Sequence, residues 1–299
     1  MAGTGGADEA PARWEAGAGG AVEPGLHLVA VPIGAARDVT LRALDLLAGA
    51  DVLAAEDTRS LRRLMEIHGV ALGDRPLVAY HDHNGARARP RLMAALREGR
   101  SVAYASEAGT PLVADPGFRL AAEARAEGVA VRAAPGASAV LAALCVGGLP
   151  TDRFLFAGFL PPKARARDAA LRELGAVAAT LVIYESPKRA AATLGAAAEA
   201  LGPRPARLCR ELTKRFEEVW EGTLPELAAR AQAEPPRGEV VVLIDRAAAG
   251  AVDEAALRAR LAAAMETDSL KSAVKSVSEG AGVSRKEVYE LALRMRDGG

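Results

Sequence analysis

The sequence has few aromatic residues, few cysteines and no long apolar run. Aromatic side chains make up 4% of its 299 residues, so any core must be built from Ala, Val and Leu. Cys145 and Cys209 lie far apart in apolar stretches without metal-ligand spacing, which predicts buried thiols in a cytoplasmic protein. No apolar run approaches the roughly 20 residues that span a bilayer, so no membrane is expected as a partner.

Net charge is also absent. The 38 basic and 38 acidic residues balance, which argues against a chain that coats nucleic acid indiscriminately, so any site for a polyanion must be local. Residues 1–25 are rich in Gly and Ala and lack the basic and apolar regions of a signal peptide. We expect them to form a disordered extension.

Short apolar runs alternate with helical patterns from Leu26 to the strand that ends near Ile244. This alternation predicts two α/β domains of layered αβα architecture, residues 26–147 and 148–246, with a boundary at Gly147–Pro150. Two adjacent strands near Arg210 and Trp220 predict a hairpin, and therefore a mixed second sheet.

A small-residue linker at 247–251 leads to polar helices in residues 252–299. The turn at Gly280–Ser284 and a capping box of Ser284 with Glu287 favour a small helix-turn-helix-like extension. Its charges nearly balance, so it either packs on the core or contacts nucleic acid through its lysines and arginines.

Glycine, proline and polar residues collect where the predicted strands end. The loop Ser106–Gly117 contains Gly-Thr-Pro and Asp-Pro-Gly, which fix the backbone and allow close approach to a ligand. Pro135–Ala139 and Glu56–Arg59 follow other strands in the same way. Ligands of open α/β sheets bind at the carboxyl ends of strands. Each loop alone is equally compatible with a capped turn.

A His-x-His pair, His81 and His83, follows another predicted strand beside Asp82. Only His27 and His68 remain elsewhere, and no third ligand is anchored near the pair. We therefore expect a polar loop here and no metal.

The order of these loops closely resembles the tetrapyrrole methylase superfamily, and within it the ribosomal RNA small subunit methyltransferase I family. The resemblance covers about Leu26 to Asp245, and the C-terminal helices resemble that family's small helix-turn-helix extension. It rests on segments that occur in order: Leu28–Gly34, Asp38–Leu44, Ala55–Arg59, Ser106–Gly117, Pro135–Ala139, Tyr184–Arg189, Cys209–Lys214 and Arg237–Glu239.

The resemblance implies two α/β domains with S-adenosylmethionine in the cleft between them, in a homodimer. It also implies transfer of a methyl group to the ribose 2′-hydroxyl of a cytidine in 16S rRNA, at the decoding centre, on rRNA or on the small ribosomal subunit. By position, the implied cofactor residues are Pro32, Ile33, Gly34, Ser106, Glu107, Ala108, Gly109, Thr110, Pro111, Ser138, Ala139, Tyr184, Leu212, Thr213 and Gly238.

Four residues depart from the family pattern. Glu107 stands where Asp is common, Ala35 where Asn is usual, Lys188 in place of a common His, and Phe216 where His is more usual. The last two lie on the presumed RNA side of the cleft.

Methylation of a ribose hydroxyl requires in-line approach to the methyl group and removal of a weakly acidic proton. Candidate proton acceptors are Asp57, Glu185 and Glu211, and our hypothesis sets Glu185 and Lys188 nearest the hydroxyl. Each candidate, taken alone, is equally compatible with a surface ion pair. Candidate contacts to RNA phosphates or to the developing alkoxide are Lys188, Arg59, Arg189, Arg210 and Lys214.

Two other functions share parts of this pattern. A methyltransferase acting on a corrin or porphyrin would use the same cleft. A non-catalytic rRNA-binding assembly factor would keep the basic strand-end residues without affinity for S-adenosylmethionine.

Overall fold

The computed structural model describes residues 21–115, 117–247, 254–281 and 285–297. The first half is a parallel five-stranded sheet in the order β3-β2-β4-β1-β5. Helices α1 and α2 cover one face and α3 and α4 the other. The elements are β1 (Gly25–Val29), α1 (Leu41–Gly49), β2 (Val52–Ala55), α2 (Thr58–Ile67), β3 (Leu77–Ala79), α3 (Gly85–Arg97), β4 (Ser101–Ala105), α4 (Phe118–Ala126) and β5 (Val131–Ala134).

The second half is a mixed five-stranded sheet in the order β6-β7-β10-β8-β9. Strands β6 and β7 pair in parallel, and the other pairs are antiparallel, including the hairpin of β8 and β9. The elements are α5 (Ala139–Gly147), β6 (Phe154–Phe159), α6 (Ala164–Gly175), β7 (Thr180–Glu185), α7 (Ala190–Leu201), β8 (Pro205–Arg210), β9 (Glu218–Thr223), α8 (Leu224–Ala233) and β10 (Val240–Ile244).

Side-chain alternation along the central strands explains the layers of the second sheet. Ile183 and Val242 face α6, α7 and α8, whereas Val182 and Leu243 face α5. Helix α5 precedes the predicted boundary at Gly147–Pro150, yet it packs on β8 and β10. The chain therefore passes from the first sheet to the second before α5, one helix earlier than the predicted boundary.

One of the two predictions about the cysteines is wrong. Cys209 is buried on β8, as expected, and its burial raises the pKa of the thiol to about 12. Cys145 is exposed, because Ala143 and Leu144 supply the buried face of α5 and Cys145 lies on the other face. The apolar run around Cys145 is not buried on all sides.

The C-terminal helices α9 (Glu254–Thr267), α10 (Leu270–Ala281) and α11 (Arg285–Asp297) share a core of their own. Leu261, Val274, Val288 and Leu291 form its centre. Residues 282–284 of the predicted turn, and with them the capping box of Ser284, lie outside the described residues.

The other predicted segments at the chain ends lie mainly outside the described residues. Of the predicted extension at residues 1–25, the structure describes only 21–25, and Gly25 already begins β1. Most of the predicted linker at 247–251 is likewise outside. Among the described residues, no helix is both long and apolar enough to cross a bilayer.

The predicted fold class, two αβα units followed by a helical extension, is confirmed. The two sheets meet through a shared core in which Ile33, from the loop after β1, packs with residues of α5 and of the second sheet. The loop after β1 also donates a hydrogen bond across the junction, from the Ala35 amide to Thr213 Oγ1 at 3.1 Å. The carboxyl ends of the first sheet therefore face the second sheet.

Candidate active site

A cleft of about 500 Å³ lies where loops of the two sheets meet. This volume is within the range of small-molecule sites. Most of the predicted cofactor residues line it: Ile33, Glu107, Ala108, Gly109, Thr110, Ser138, Ala139, Tyr184 and Gly238. Loops from four separate parts of the chain thus converge on one space.

A second hollow of about 500 Å³ adjoins the cleft, and the two share Glu107. Three of the predicted cofactor residues, Pro32, Gly34 and Ser106, line this hollow instead of the cleft, together with Asp57, Arg59 and Arg63 of the α2 region. Pro111, Leu212 and Thr213 are not among the described residues that line either space.

The loop after β4 is held tightly in place. Gly109 exchanges two backbone hydrogen bonds of 3.0 Å with Val31, and Ser106 Oγ donates to the Gly109 carbonyl at 2.7 Å. Gly109 has a positive φ of 74°, and a Cβ there would lie 3.1 Å from Ile33 Cγ2. The turn therefore requires glycine both for its backbone angle and for its closeness to the neighbouring loop.

An ion-paired lysine joins the loop after β8 to Glu239, which lines the cleft. Lys214 Nζ lies 3.0 Å from both Glu211 Oε1 and Glu239 Oε2, and the Glu239 amide donates to Glu211. Hydrogen bonding to Lys214 lowers the pKa of Glu211, so this carboxylate is a poor proton acceptor. We name Glu211, Lys214 and Glu239 the lysine tie.

Glu185, which we predict to lie nearest the reacting hydroxyl, is engaged in bonds within its own loop. Its side chain is fully buried and lies 3.3 Å from Arg189 Nε. It also accepts hydrogen bonds from Thr193 Oγ1 at 2.6 Å and from the Ser186 amide at 2.7 Å. A carboxylate with these bonds and no exposed surface holds its own loop together and is not free to receive a substrate proton. Lys188, in the same loop, is exposed, and its role stays a prediction.

Asp57, which we predict to be catalytic, is engaged in a similar way. Asp57 caps α2 and accepts hydrogen bonds from the Arg59 amide at 2.8 Å and from Arg59 Nη2 at 2.9 Å. These bonds lower the pKa of Asp57 to about 2, so its carboxylate has little tendency to take up a proton.

Three of the five candidate contacts to RNA phosphates or to the alkoxide are used inside the protein. Arg189 donates to the Leu160 carbonyl at 2.8 Å, Arg210 is half-buried beside Glu218, and Lys214 belongs to the lysine tie. Arg59 and Lys188 are exposed, and Arg59 lies at the hollow. Arg189, Arg210 and Lys214 are engaged within the protein, and their contact with phosphates stays a prediction.

Two acidic residues at the cleft were not among the predicted site residues. Glu56 follows β2 directly, and Asp115 lies in the loop after β4. Burial, followed by the charge of Asp115, raises the pKa of Glu56 to about 7. The sequence contained a signal for Glu56. Asp57 precedes a predicted helix, and an Asp at a helix N-cap normally binds the helix backbone, so the preceding Glu remains available for another role.

The described residues that line the cleft include five acids and no Lys, Arg or His. The acids are Glu56, Glu107, Asp115, Glu185 and Glu239. Glu185 and Glu239 are ion-paired with Arg189 and Lys214, so the negative charge that favours a cationic ligand over an anionic one comes mainly from Glu56, Glu107 and Asp115. Within the described part of the chain, no group of three or more His, Cys, Asp or Glu residues could hold a metal ion. Around His81, Asn84 bonds the loop backbone, accepting from the His81 amide and donating to the Ala79 carbonyl.

Comparison with known proteins places the chain in a family. Residues 25–228 match the family of Tetrapyrrole (Corrin/Porphyrin) Methylases, and residues 251–296 match the RsmI C-terminal HTH domain. The crystal structure of uroporphyrin-III C-methyltransferase from Thermus thermophilus, complexed with S-adenyl homocysteine, has a similar fold. Its TM-score is 0.51 at 23% identity, over 73% of this chain and 96% of that chain.

Two relatives named Ribosomal RNA small subunit methyltransferase I align over nearly the whole chain. The protein from Mesorhizobium japonicum is 49% identical over 279 residues, which are 92% of this chain and 94% of the relative. The protein from Micromonospora olivasterospora is 44% identical over 269 residues, 89% of this chain and 85% of the relative. The chain therefore belongs to the ribosomal RNA small subunit methyltransferase I family of the tetrapyrrole methylases.

Proposed function

We propose that this protein is an S-adenosylmethionine-dependent methyltransferase that acts in the cytoplasm on 16S rRNA of the small ribosomal subunit. Its target is the ribose 2′-hydroxyl of a cytidine at the decoding centre. The observation that carries the proposal is the contrast between an acidic cleft and an arginine-rich surface beside it. The identity of the relatives as rRNA methyltransferases supports the class of substrate.

The cleft suits S-adenosylmethionine because the ligand carries a sulfonium and an ammonium group. Acidic side chains attract both cations, and the glycine turns at Gly109 and Gly238 allow the backbone to approach a ligand closely. The complex of the Thermus thermophilus enzyme with S-adenyl homocysteine supports this choice of ligand. When bound, S-adenosylmethionine supplies an electrophilic methyl group.

The rRNA phosphates require cations that the described lining of the cleft does not provide. Arg59, Arg62 and Arg63 are exposed on the first turns of α2, and Arg59 and Arg63 line the hollow that adjoins the cleft. We infer that the RNA backbone lies along α2 while one nucleotide presents its hydroxyl to the cleft.

The chain's own residues then have three tasks. The loop after β4 lines the cleft, and the lysine tie fixes Glu239, which lines it as well, so that donor and acceptor are oriented for in-line transfer. Tyr184 and Phe159 contact each other at 5.6 Å between ring centroids and close one side of the cleft with apolar surface, which limits water at the reacting atoms. A proton acceptor must also be present at the cleft.

The acidic lining weighs against the corrin or porphyrin alternative. Tetrapyrrole precursors of that class carry several carboxylates, which would face five acids and no described cation in the lining. We therefore rank this alternative below rRNA methylation. Incubation with labelled S-adenosylmethionine and either small subunits or a tetrapyrrole precursor separates the two.

The assembly-factor alternative predicts no affinity for S-adenosylmethionine. Calorimetric titration of the purified protein tests it, and our proposal predicts saturable binding at one site per chain. Transfer of label to 16S rRNA in small subunits, mapped to a cytidine ribose, would support the full proposal. Binding without transfer to any rRNA would overturn the proposed substrate.

We also propose that two copies of the chain form a homodimer through the face of the second sheet that carries α5. Three helices cover the opposite face of this sheet, whereas α5 is the one described helix on this face. Leu141, Phe154 and Phe159 remain exposed there. A second copy that covers these apolar side chains explains why they are not polar.

A further inference from the structure

Two carboxyl groups meet at the end of the cleft that the first sheet forms. Glu56 follows the last residue of β2, and Asp115 lies in the loop after the neighbouring strand β4. The negative charge of Asp115 acts on Glu56 and raises its pKa, and Glu56 Oε2 accepts a hydrogen bond from the Glu107 amide at 3.3 Å. The neighbouring strands β2 and β4 therefore bring the two carboxyl groups together.

Asp115 is the fixed member of the pair. Its Oδ1 accepts hydrogen bonds from Tyr104 Oη and from the Gly117 amide, both at 2.8 Å. Its Oδ2 is buried and receives no bond from the N–H or O–H donors of the described chain, which leaves it to share a proton with Glu56. Tyr104 is buried on β4 in edge-to-face contact with Tyr80, and its raised pKa keeps it a hydrogen-bond donor.

The charges that act most strongly on Glu56 are negative. Asp115 and Glu107 face it from the loop after β4, and both destabilise its ionised form. Glu185 and Glu239 line the same cleft from the second sheet. The nearest cation of the neighbouring helix, Arg59, is bound to Asp57 and lies at the hollow. Glu56 consequently changes protonation state near neutral pH, at about 7.

We propose that Glu56 accepts the proton of the hydroxyl that is methylated, and that Asp115, held by Tyr104, is the positioning residue for it. This inference rests on the proposed function and names the proton acceptor of that same cleft. Glu56 is half-buried and open to the cleft, whereas Glu185, Asp57 and Glu211 are each held in other bonds.

The proposed step balances without a further reagent. The bond between the hydroxyl oxygen and the methyl carbon forms as the methyl–sulfur bond breaks, and its electron pair stays on sulfur. The hydroxyl proton moves to a carboxylate oxygen of Glu56. Proton removal by a positioned side chain contributes typically about 10²–10⁴-fold to a rate.

The test uses the full-length protein with small ribosomal subunits and labelled S-adenosylmethionine. Wild-type kcat/KM should rise with pH through about 7, because Glu56 must be ionised to accept the proton. Glu56→Gln should lower kcat by about 10²–10⁴-fold and abolish this rise. Asp115→Asn should move the rise to lower pH. The amide carries no charge that repels ionised Glu56, and it can donate a hydrogen bond to it. Glu173→Gln, which removes an exposed carboxylate of α6, is the matched control and should keep the wild-type profile.

A second readout needs no substrate. The folded-state pKa of Glu56 is raised above the ordinary value of 4.5, so its protonated form favours folding and this stabilisation is lost as pH rises from about 4.5 through about 7. Glu56→Gln should therefore melt at a higher temperature than wild type at pH 8 and at nearly the same temperature at pH 5. If Glu56 were an ionised carboxylate that only stabilises the fold, Glu56→Gln would melt at a lower temperature than wild type at pH 8.

The outcomes separate the inference from the proposed function. If wild type binds S-adenosylmethionine but transfers no label to any rRNA, the proposed function fails. If wild type methylates rRNA and Glu56→Gln keeps both its rate and its pH profile, the proton acceptor is another group and the inference is overturned. A variant that is slow but retains the rise near pH 7 also overturns it.

Discussion

Glu56 and Asp57 are neighbours in the sequence, but their carboxylates lie in different environments. Asp57 is bound to the first turn of α2 and to Arg59, and its pKa falls to about 2. Glu56 faces the cleft beside Asp115, and its pKa rises to about 7. The sequence predicts a polar strand end here, but it does not contain the distance to Asp115, which depends on a loop about 60 residues later in the chain.

Strained backbone positions concentrate in two loops near the cleft. Among the described residues other than glycine, those with positive φ are Leu112, Ala114, Glu211 and Thr213. Leu112 and Ala114 lie in the loop after β4, and Glu211 and Thr213 lie in the loop after β8. Residues with a Cβ adopt this conformation at a cost of about 1–2 kcal/mol each, so the surrounding contacts must hold both loops.

Substitution of Gly238 tests whether the lysine tie depends on the close approach of the backbone to Glu211. Its φ is 79°, and an added Cβ would overlap the Glu211 side chain. Gly238→Ala should lower the free energy of unfolding by about 2–4 kcal/mol, because backbone strain and overlap add, and should weaken S-adenosylmethionine binding.

The matched control for Gly238 is Gly148. Its φ is 62°, but an added Cβ would meet nothing within 4 Å, so Gly148→Ala should cost only about 1 kcal/mol and leave binding unchanged. Denaturant unfolding and calorimetric titration give both quantities. Equal effects of the two variants would show that the overlap with Glu211 is unimportant.

At the scale of elements, apolar runs and turn residues predict the strands and helices to within a few residues. The strand predicted at Ser101–Ala105 and the helix predicted at 140–146 agree closely with β4 and α5. The sequence is a poorer guide to which helices pack against which sheet. Helix α5 is apolar on most sides, so its pattern does not show which sheet it covers or that Cys145 faces outward.

Helix α2 carries the surface that we assign to RNA. Arg62→Ala and Arg63→Ala should raise the KM for small subunits and reduce the slope of log KM against log salt concentration by about 1 each. The affinity for S-adenosylmethionine should not change, because these side chains do not line the cleft.

The control for the α2 variants is Arg172→Ala, which removes an exposed arginine from α6. It should leave both KM and the salt dependence as in wild type. An equal loss in Arg172→Ala would mean that RNA binding follows overall charge and not the surface of α2.

At the scale of the whole molecule, the two halves depend on each other. Ile33 of the first half is buried among α5 and β10 residues of the second half, and Gly34 lies so close to Thr213 that a Cβ would be 2.7 Å from its Oγ1. The resemblance to a known family implied a cleft between two domains. Composition and periodicity alone predicted the layers but not which strand ends would meet.

The proposed homodimer is tested by a charge on its apolar face. Leu141 is exposed on α5, so Leu141→Glu should not disturb the fold of the monomer but should oppose its association with a second copy. Light scattering after size-exclusion chromatography should give twice the chain mass for wild type and the chain mass for the variant. Arg172→Ala should remain dimeric. A wild-type protein that is monomeric at all concentrations would contradict the proposal.

The central claim is that the acidic cleft between the two sheets holds the methyl donor. The most direct measurement is a crystal structure of the protein with S-adenosyl homocysteine, which carries the sulfur atom without the methyl group. Our account predicts the ligand between the loop Ser106–Gly117 and Gly238, with its sulfur facing the side of the cleft where Glu56 and Asp115 meet. A ligand bound in the neighbouring hollow beside Arg59 and Arg63, or away from both spaces, would contradict it.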